Sequence, residues 1–119
     1  MEFRRRVPRT STDGWSAQYM DEDEDDAHSG WKQCRVIDIS LIGVGLELLV
    51  DVPNALVGHH LVVQVQAPVG ESVSLRLKGR VVHQSRYRKG TTRTGLEFVG
   101  LSEVERSILT VLEQMKVAW

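Results

Sequence analysis

Between residues 73 and 82 apolar and polar side chains alternate, and this pattern constrains the fold more than any other stretch of the chain. One set of positions holds Val73, Leu75, Leu77, Gly79 and Val81, and the other holds Ser74, Arg76, Lys78, Arg80 and Val82. A period of two places the two sets on opposite faces of a β-strand. The stretch therefore predicts a strand with one face in a core and the other in solvent.

The rest of the chain predicts an all-β protein with one terminal helix. Short extended segments are expected at 15–19, 31–39, 43–50, 61–66 and 92–99, with a polar loop at 83–90. Ser102 and Glu105 form a capping box, and apolar residues follow at helical spacing, namely Val104, Ile108, Val111, Leu112 and Met115. Close strand spacing without a strand–helix–strand rhythm favours an antiparallel barrel or sandwich, closed by an amphipathic helix at 102–116.

Length and cysteine content indicate an ordinary intracellular domain. The chain has 119 residues, enough for one domain with its own core, and a single cysteine, Cys34, so it has no internal disulfide. Cys34 is expected to be a packed core thiol. No stretch approaches the roughly 18–20 apolar residues of a membrane span, and the N-terminus lacks the apolar region of a signal peptide. These features predict a cytoplasmic protein that does not insert into membranes.

The charge distribution favours an anionic partner. Residues 21–26 carry six of the 16 acidic residues, which leaves 15 basic against 10 acidic residues elsewhere. The acidic run is expected to be a solvated loop, and a sharper hypothesis is that it competes with a ligand for the arginines. The remainder of the protein is basic, which suits a nucleotide or a nucleic acid.

Two short motifs carry the functional prediction. The first is an arginine run, Arg4, Arg5, Arg6 and Arg9, in which Pro8 disfavours helix and so places the arginines on extended chain or a loop. The second joins two predicted strands and consists of Asp38, Ser40 and Gly43 in the pattern D-x-S-x-x-G. If the chain stays extended there, Asp38 and Ser40 point the same way.

In this order on an all-β chain, the motifs resemble those of the PilZ domain family, RRxxR followed by D/NxSxxG. The stretches Gly79-Arg-Val-Val and Thr94-Gly-Leu-Glu-Phe98 resemble later strands of that family. The resemblance implies a six-stranded antiparallel β-barrel with a C-terminal α-helix. It divides the chain into an N-terminal arginine arm at 1–12, a barrel at 13–101 with the acidic loop at 21–26, and the helix at 102–116.

The resemblance also implies binding of cyclic di-guanosine monophosphate (cyclic di-GMP). Arg5, Arg6 and Arg9 take the arginine positions of RRxxR, and Asp38, Ser40 and Gly43 take the barrel positions. Guanidinium pairs with phosphate and stacks on aromatic planes, whereas a carboxylate accepts from guanine N–H donors. An arginine at position 4 points toward a stacked pair of ligands. The expected protein is a stand-alone receptor without cofactor or enzymatic activity, whose arm orders over the ligand and alters a surface for a downstream protein.

Two other functions remain open at this point. A small barrel with basic loops also binds nucleic acid, and the basic stretch 86–90 with Arg93 could be a second anion-binding surface, although a solvated loop is the simpler interpretation. A PilZ-like adaptor that binds protein and ignores nucleotide is the other alternative. His59 and His60 are expected to be surface histidines, because neighbouring positions of extended chain point to opposite faces and no cysteine or acidic cluster completes a metal site.

Overall fold

The computed structural model describes residues 15–23, 30–51, 54–67 and 73–117, without the side chains of Val73 and of residues 113–117. Arg4, Arg5, Arg6 and Arg9, and residues 24–26 of the acidic run, lie outside the described residues.

Six antiparallel strands form a closed barrel, followed by one helix. The strands are β1 (Ser16–Asp21), β2 (Lys32–Ile39), β3 (Gly43–Leu48), β4 (His60–Ala67), β5 (Val73–Arg86) and β6 (Thr92–Phe98), and the helix is α1 (Glu103–Val117). Around the barrel the order is β1-β2-β3-β6-β5-β4, with β4 pairing back to β1. The predicted fold class is confirmed.

Alternating side chains fill the barrel as the sequence pattern predicts. Leu75, Leu77 and Val81 of β5 are buried, and they pack with Leu61, Val63 and Val65 of β4 and with Val44, Leu46 and Leu48 of β3. Cys34 is also buried in this core, as expected. Burial raises the pKa of its thiol from 9.0 to about 12, because the charged thiolate is poorly solvated there.

The helix begins as predicted but packs through a different face. Ser102 N–H donates to Glu105 Oε1 at 3.0 Å, and Glu105 N–H donates to Ser102 Oγ at 3.1 Å, which is a capping box. Leu109 and Leu112 are buried, whereas Val104 and Val111 are 68% and 52% exposed. The predicted apolar face is therefore wrong at its two valines, and Leu109 replaces them.

Two β-bulges interrupt the alternation and set which residues face outward. The register shifts between Val36 and Asp38 in β2, and between Val81 and His83 in β5. A bulge inserts one extra residue, so the positions beyond it change faces. In β2 this turns Ile39 into the core, where it is 1% exposed, and leaves Asp38 outside.

Two local predictions, the loop at 83–90 and the solvated loop at 21–26, differ from the structure where strands extend into them. The loop expected at 83–90 is strand as far as Arg86. The sequence prediction missed this part of the strand because its buried residue beyond the bulge, Gln84, is polar. Gln84 Nε2 donates to Thr94 Oγ1 at 2.9 Å, and Gln84 Oε1 accepts from Leu56 N–H at 2.8 Å. The acidic run starts inside β1, where Asp21 is only 4% exposed.

The histidines next to β4 do have acidic neighbours, contrary to the sequence prediction. His59 Nδ1 lies 2.8 Å from Asp21 Oδ2, and His60 Nδ1 lies 3.3 Å from Asp23 Oδ2. The pairing of β1 with β4 brings these residues together across a sequence separation that local patterns do not reveal.

Candidate ligand-binding site

The D-x-S-x-x-G segment forms the turn between β2 and β3. Ser40 N–H donates to the carbonyl of Gly43 at 3.0 Å, and Ile42 N–H donates to Ser40 Oγ at 3.3 Å. Ser40 Oγ also lies 3.4 Å from the Gly43 carbonyl, to which it donates, and Ser40 is buried. The hydroxyl therefore closes the turn, and Asp38 precedes it at the outer face of the barrel.

A row of four cross-strand neighbours runs along the outer face from Asp38. Asp38 of β2 is opposite Gly45 of β3, Gly45 is opposite Gly95 of β6, and Gly95 is opposite His83 of β5. Both bulges lie just before the outer members of the row, Asp38 and His83. The row therefore places a carboxylate and an imidazole at its two ends with two glycines between them.

The two glycines allow both polar side chains to lie close to the barrel wall. A Cβ added at Gly45 would be 2.9 Å from Asp38 Oδ1, closer than real Cβ contacts allow. A Cβ added at Gly95 would overlap the ring of His83. Any larger residue at either position would displace the neighbouring side chain, so the geometry of Asp38 and His83 depends on Gly45 and Gly95.

A concave site of about 250 Å³ lies over this row. Its lining includes Asp38, Gly43, Gly45, His83, Arg93 and Gly95, with apolar contributions from Ile42 and Val82. Ile42 and Val82 are 59% and 41% exposed. Pockets that enclose a drug-sized ligand measure roughly 300–1,000 Å³, so this one has room for part of a larger ligand.

Arginines from the β5–β6 hairpin pair with the acidic groups of the site. Arg93 Nη2 is 3.7 Å from Asp38 Oδ2, and the Asp38 side chain is 18% exposed. The guanidinium groups of Arg88 and Arg93 both lie over the ring of Tyr87, at 5.3 and 5.8 Å from its centroid. We call Tyr87, Arg88 and Arg93 the hairpin cluster.

Glu47 connects the hairpin cluster to β2. It is 2% exposed, although it belongs to the outward-facing set of β3. Its Oε1 is 3.7 Å from Arg35 Nη1, and its Oε2 is 3.4 Å from Arg88 Nε. Within the described part of the chain Oε2 has no hydrogen-bond partner, so the contact with Arg88 is an ion pair without hydrogen-bond geometry.

The structure brings together part of the predicted site and adds residues that the sequence did not indicate. Asp38 and Gly43 line the concavity, and Ser40 shapes the adjoining turn. Gly45, His83 and Gly95 were not predicted, and Arg93 was considered only as part of a second anion-binding surface. Gly95 could have been selected from the sequence, because a glycine among the outward-facing residues of a strand indicates that another group lies close to the backbone. His83 could not, because its outward position depends on the bulge in β5.

Comparisons with known proteins agree with this architecture. Residues 3–113 match the family model described as the PilZ domain. The chain belongs to the PilZ domain family. A sequence comparison with curated proteins gives no match.

Solved structures similar to this PilZ domain share its fold at low sequence identity. The PilZ domain of YcgR from Escherichia coli with c-di-GMP is 21% identical at a TM-score of 0.69, and the alignment covers 97% of this chain and 92% of that one. The inhibitor of motility MotI/DgrA of Bacillus subtilis is 16% identical at a TM-score of 0.69, covering 96% and 52% of the two chains.

A longer chain of YcgR shares the fold at the same sequence identity. YcgR of Escherichia coli in complex with c-di-GMP is 21% identical at a TM-score of 0.65, covering 97% of this chain and 47% of that one. The chain thus spans about half the length of two of these three neighbours. The described part of this PilZ domain contains no helix with the length and apolar character needed to span a bilayer.

Proposed function

We propose that this PilZ domain binds cyclic di-GMP and acts as a receptor and not as a catalyst. The observation that carries the proposal is the position of Asp38, which lies over Gly45 at the edge of a concavity that also includes Gly43, His83 and Gly95. Further support is the PilZ family match and the presence of c-di-GMP in the similar YcgR structures.

The chemistry of the site suits one guanine of the ligand. The Watson–Crick edge of guanine presents N–H donors, and Asp38 supplies a carboxylate acceptor held in place above Gly45. A charge-assisted hydrogen bond of this kind is worth about 1.5–3 kcal/mol. The glycine row lets the Asp38 carboxylate and the His83 ring lie against the barrel wall, so that both line the concavity in which the base would be held.

The phosphates are assigned to the arginine motif. In this proposal Arg5, Arg6 and Arg9 pair with phosphate oxygens and stack on guanine faces, and Arg4 favours a second, stacked ligand. Repulsion among these like charges is relieved by the dianion, so binding brings the arm onto the barrel and changes the surface offered to a protein partner. Slower amide exchange at residues 2–12 in the presence of ligand is the expected sign of this step.

The proposal is tested by calorimetric titration of cyclic di-GMP into the wild type, Arg9→Ala and Asp38→Asn. Asp51→Asn and Arg86→Ala are matched controls, because Asp51 and Arg86 form an exposed ion pair with a separation of 3.5 Å outside the concavity. We expect both motif variants to weaken binding by about tenfold or more, since each removes a charge-assisted contact, and both controls to bind like the wild type.

Single-stranded RNA serves as the competing ligand in the same titrations. The described arginines at 86, 88 and 93 each have an acidic partner, which leaves less positive charge for a nucleic acid. Tighter binding of RNA than of cyclic di-GMP, or equal binding of cyclic di-GMP by all variants, would contradict the proposal. A stoichiometry near two ligands per chain is expected if Arg4 favours a second, stacked ligand. A value near one would contradict this role of Arg4.

A further inference from the structure

We propose that Asp21, Asp23 and His59 form a binding site for a divalent transition-metal cation of the Zn²⁺ type. Each residue brings one possible ligand atom, and these atoms all lie within 4.8 Å of one another. The three residues come from the end of β1, the turn that follows it and the residue before β4. None of them lines the concavity assigned to cyclic di-GMP, so this inference is independent of the proposed function.

Backbone hydrogen bonds hold both segments of the site. Asp21 is paired with Leu61 in the β1–β4 ladder, and Glu22 N–H donates to the His60 carbonyl at 2.9 Å. His59 N–H donates to the Leu56 carbonyl at 2.9 Å, and the His59 carbonyl accepts from Val81 N–H at 2.8 Å. These hydrogen bonds therefore fix the backbone of both segments that bear the ligand atoms, and they do so without a cation.

The electrostatics of Asp21 supply a second, independent reason for a cation. Its side chain is 3% exposed, and its oxygens accept from Asp23 N–H at 2.9 Å and face His59 Nδ1 at 2.8 Å. No lysine or arginine of residues 15–23, 30–51, 54–67 and 73–117 pairs with it. A buried carboxylate is costly without a compensating positive charge. A cation held by Asp21 and His59 would supply that charge.

The distances between the ligand atoms fit a cation held among them. Ligand atoms about 2.0–2.1 Å from a tetrahedral Zn²⁺ are about 3.3 Å apart, and His59 Nδ1 and Asp21 Oδ2 are already 2.8 Å apart. To admit the cation these two atoms would move slightly apart, and the Asp23 oxygen, which lies within 4.8 Å of both, would complete the set. Three protein ligands would leave a fourth position for water, as in open zinc sites.

His60 orients the third ligand from outside the cluster. Its backbone N–H donates to Asp23 Oδ2 at 2.7 Å, and its Nδ1 lies 3.3 Å from the same oxygen. These two hydrogen bonds, the backbone one first, lower the pKa of Asp23 below 3.8 and keep the carboxylate ionised. Outer partners of this kind orient metal ligands and raise affinity.

The donor set indicates which cation the site prefers. Imidazole nitrogen combined with carboxylate oxygen suits Zn²⁺ and its first-row neighbours, whereas Mg²⁺ and Ca²⁺ prefer sites made of oxygen alone. We therefore expect Zn²⁺ and Co²⁺ to bind and Mg²⁺ to bind far more weakly.

The test is a titration of ZnCl₂, CoCl₂ and MgCl₂ into tag-free, chelator-treated protein without cyclic di-GMP. Calorimetry measures the affinity and stoichiometry, the visible spectrum of Co²⁺ reports an imidazole–carboxylate environment, and thermal unfolding reports stabilisation that EDTA reverses. The variants Asp21→Asn, Asp23→Asn and His59→Gln are compared with His83→Gln, which removes a histidine outside the cluster.

We expect one Zn²⁺ per wild-type chain, and binding weakened by about tenfold or more in each ligand variant, with His83→Gln unchanged. Asp23→Asn is the decisive variant if Asp21→Asn fails to fold, because Asp23 is 47% exposed and its replacement leaves the core intact. Wild-type protein that binds neither Zn²⁺ nor Co²⁺ at about 100 μM, or ligand variants that bind like His83→Gln, would overturn the proposal. Cyclic di-GMP binding by the three ligand variants Asp21→Asn, Asp23→Asn and His59→Gln is expected to be unchanged, because none of these residues lines the concavity, and this separates the test from that of the proposed function.

Discussion

Replacing Gly45 by alanine should separate the ligand affinity of this protein from its stability. The added Cβ would lie 2.9 Å from Asp38 Oδ1. This oxygen is at the end of a short, partly exposed side chain that can rotate away. The fold therefore loses little, and alanine also adds about 0.4–1 kcal/mol to the free energy of unfolding, because it reduces the conformational entropy of the unfolded chain. On the proposed function, the rotated carboxylate would no longer face the guanine edge and would lose a contact of about 1.5–3 kcal/mol.

That loss corresponds to a 10- to 100-fold weaker affinity, since about 1.4 kcal/mol is tenfold. Calorimetry with cyclic di-GMP gives the affinity, and urea unfolding gives the free energy of unfolding of each variant. A double-mutant cycle with Asp38→Ala supplies the control: without the carboxylate, Gly45→Ala should have no further effect on affinity. Wild-type affinity in a folded Gly45→Ala protein, or fully additive losses in the cycle, would refute the role of the glycine in holding Asp38.

Two further predictions concern stability and reactivity. Gly43→Ala should lower the free energy of unfolding by about 1–3 kcal/mol in urea titrations, because its Cβ would press against the backbone carbonyl of Leu96, which cannot rotate away; stability equal to that of Gly45→Ala would contradict this difference between the two glycines. Cys34 should react with a thiol reagent at pH 8 only in urea-unfolded protein, because its pKa is raised from 9.0 to about 12 in the fold. Equal labelling of folded and unfolded protein would contradict the buried thiol. Because the thiol of the unfolded chain ionises at lower pH, the free energy of unfolding should also fall as pH rises from about 9 toward 12, by at most about 1.4 kcal/mol per pH unit. The variant Cys34→Ala should not show this fall.

The barrel was predictable from the sequence because its strongest signals are local. Alternation from Leu75 to Val81 and the capping box of Ser102 and Glu105 each involve neighbours within a few residues, and both are confirmed. The end of β5 was not predictable in the same way. Its buried residue after the bulge is Gln84, whose burial depends on hydrogen bonds to Leu56 and Thr94 that no local pattern contains.

The candidate site was predictable only in part, because it depends on strand register. Asp38 and Gly43 could be selected from their motif, and both line the concavity. His83 and Asp38 become ends of one row only through two bulges and the pairing of Gly45 with Gly95. Likewise, Asp21 and His59 are 38 positions apart and meet only when β1 pairs with β4.

The charge balance of the described site explains why the proposed function needs both motifs. Arg93 is paired with Asp38, and Arg35 and Arg88 are paired with Glu47; Glu97 also lines the concavity, so three arginines stand against three carboxylates there. A surface balanced in this way can provide shape and an acceptor for guanine, but it offers little net attraction for a ligand with two negative charges. On the proposed function that attraction has to come from Arg5, Arg6 and Arg9. Affinity should therefore fall steeply with salt in the wild type and much less in the triple variant Arg5→Ala/Arg6→Ala/Arg9→Ala, because these arginines carry most of the charge that salt screens.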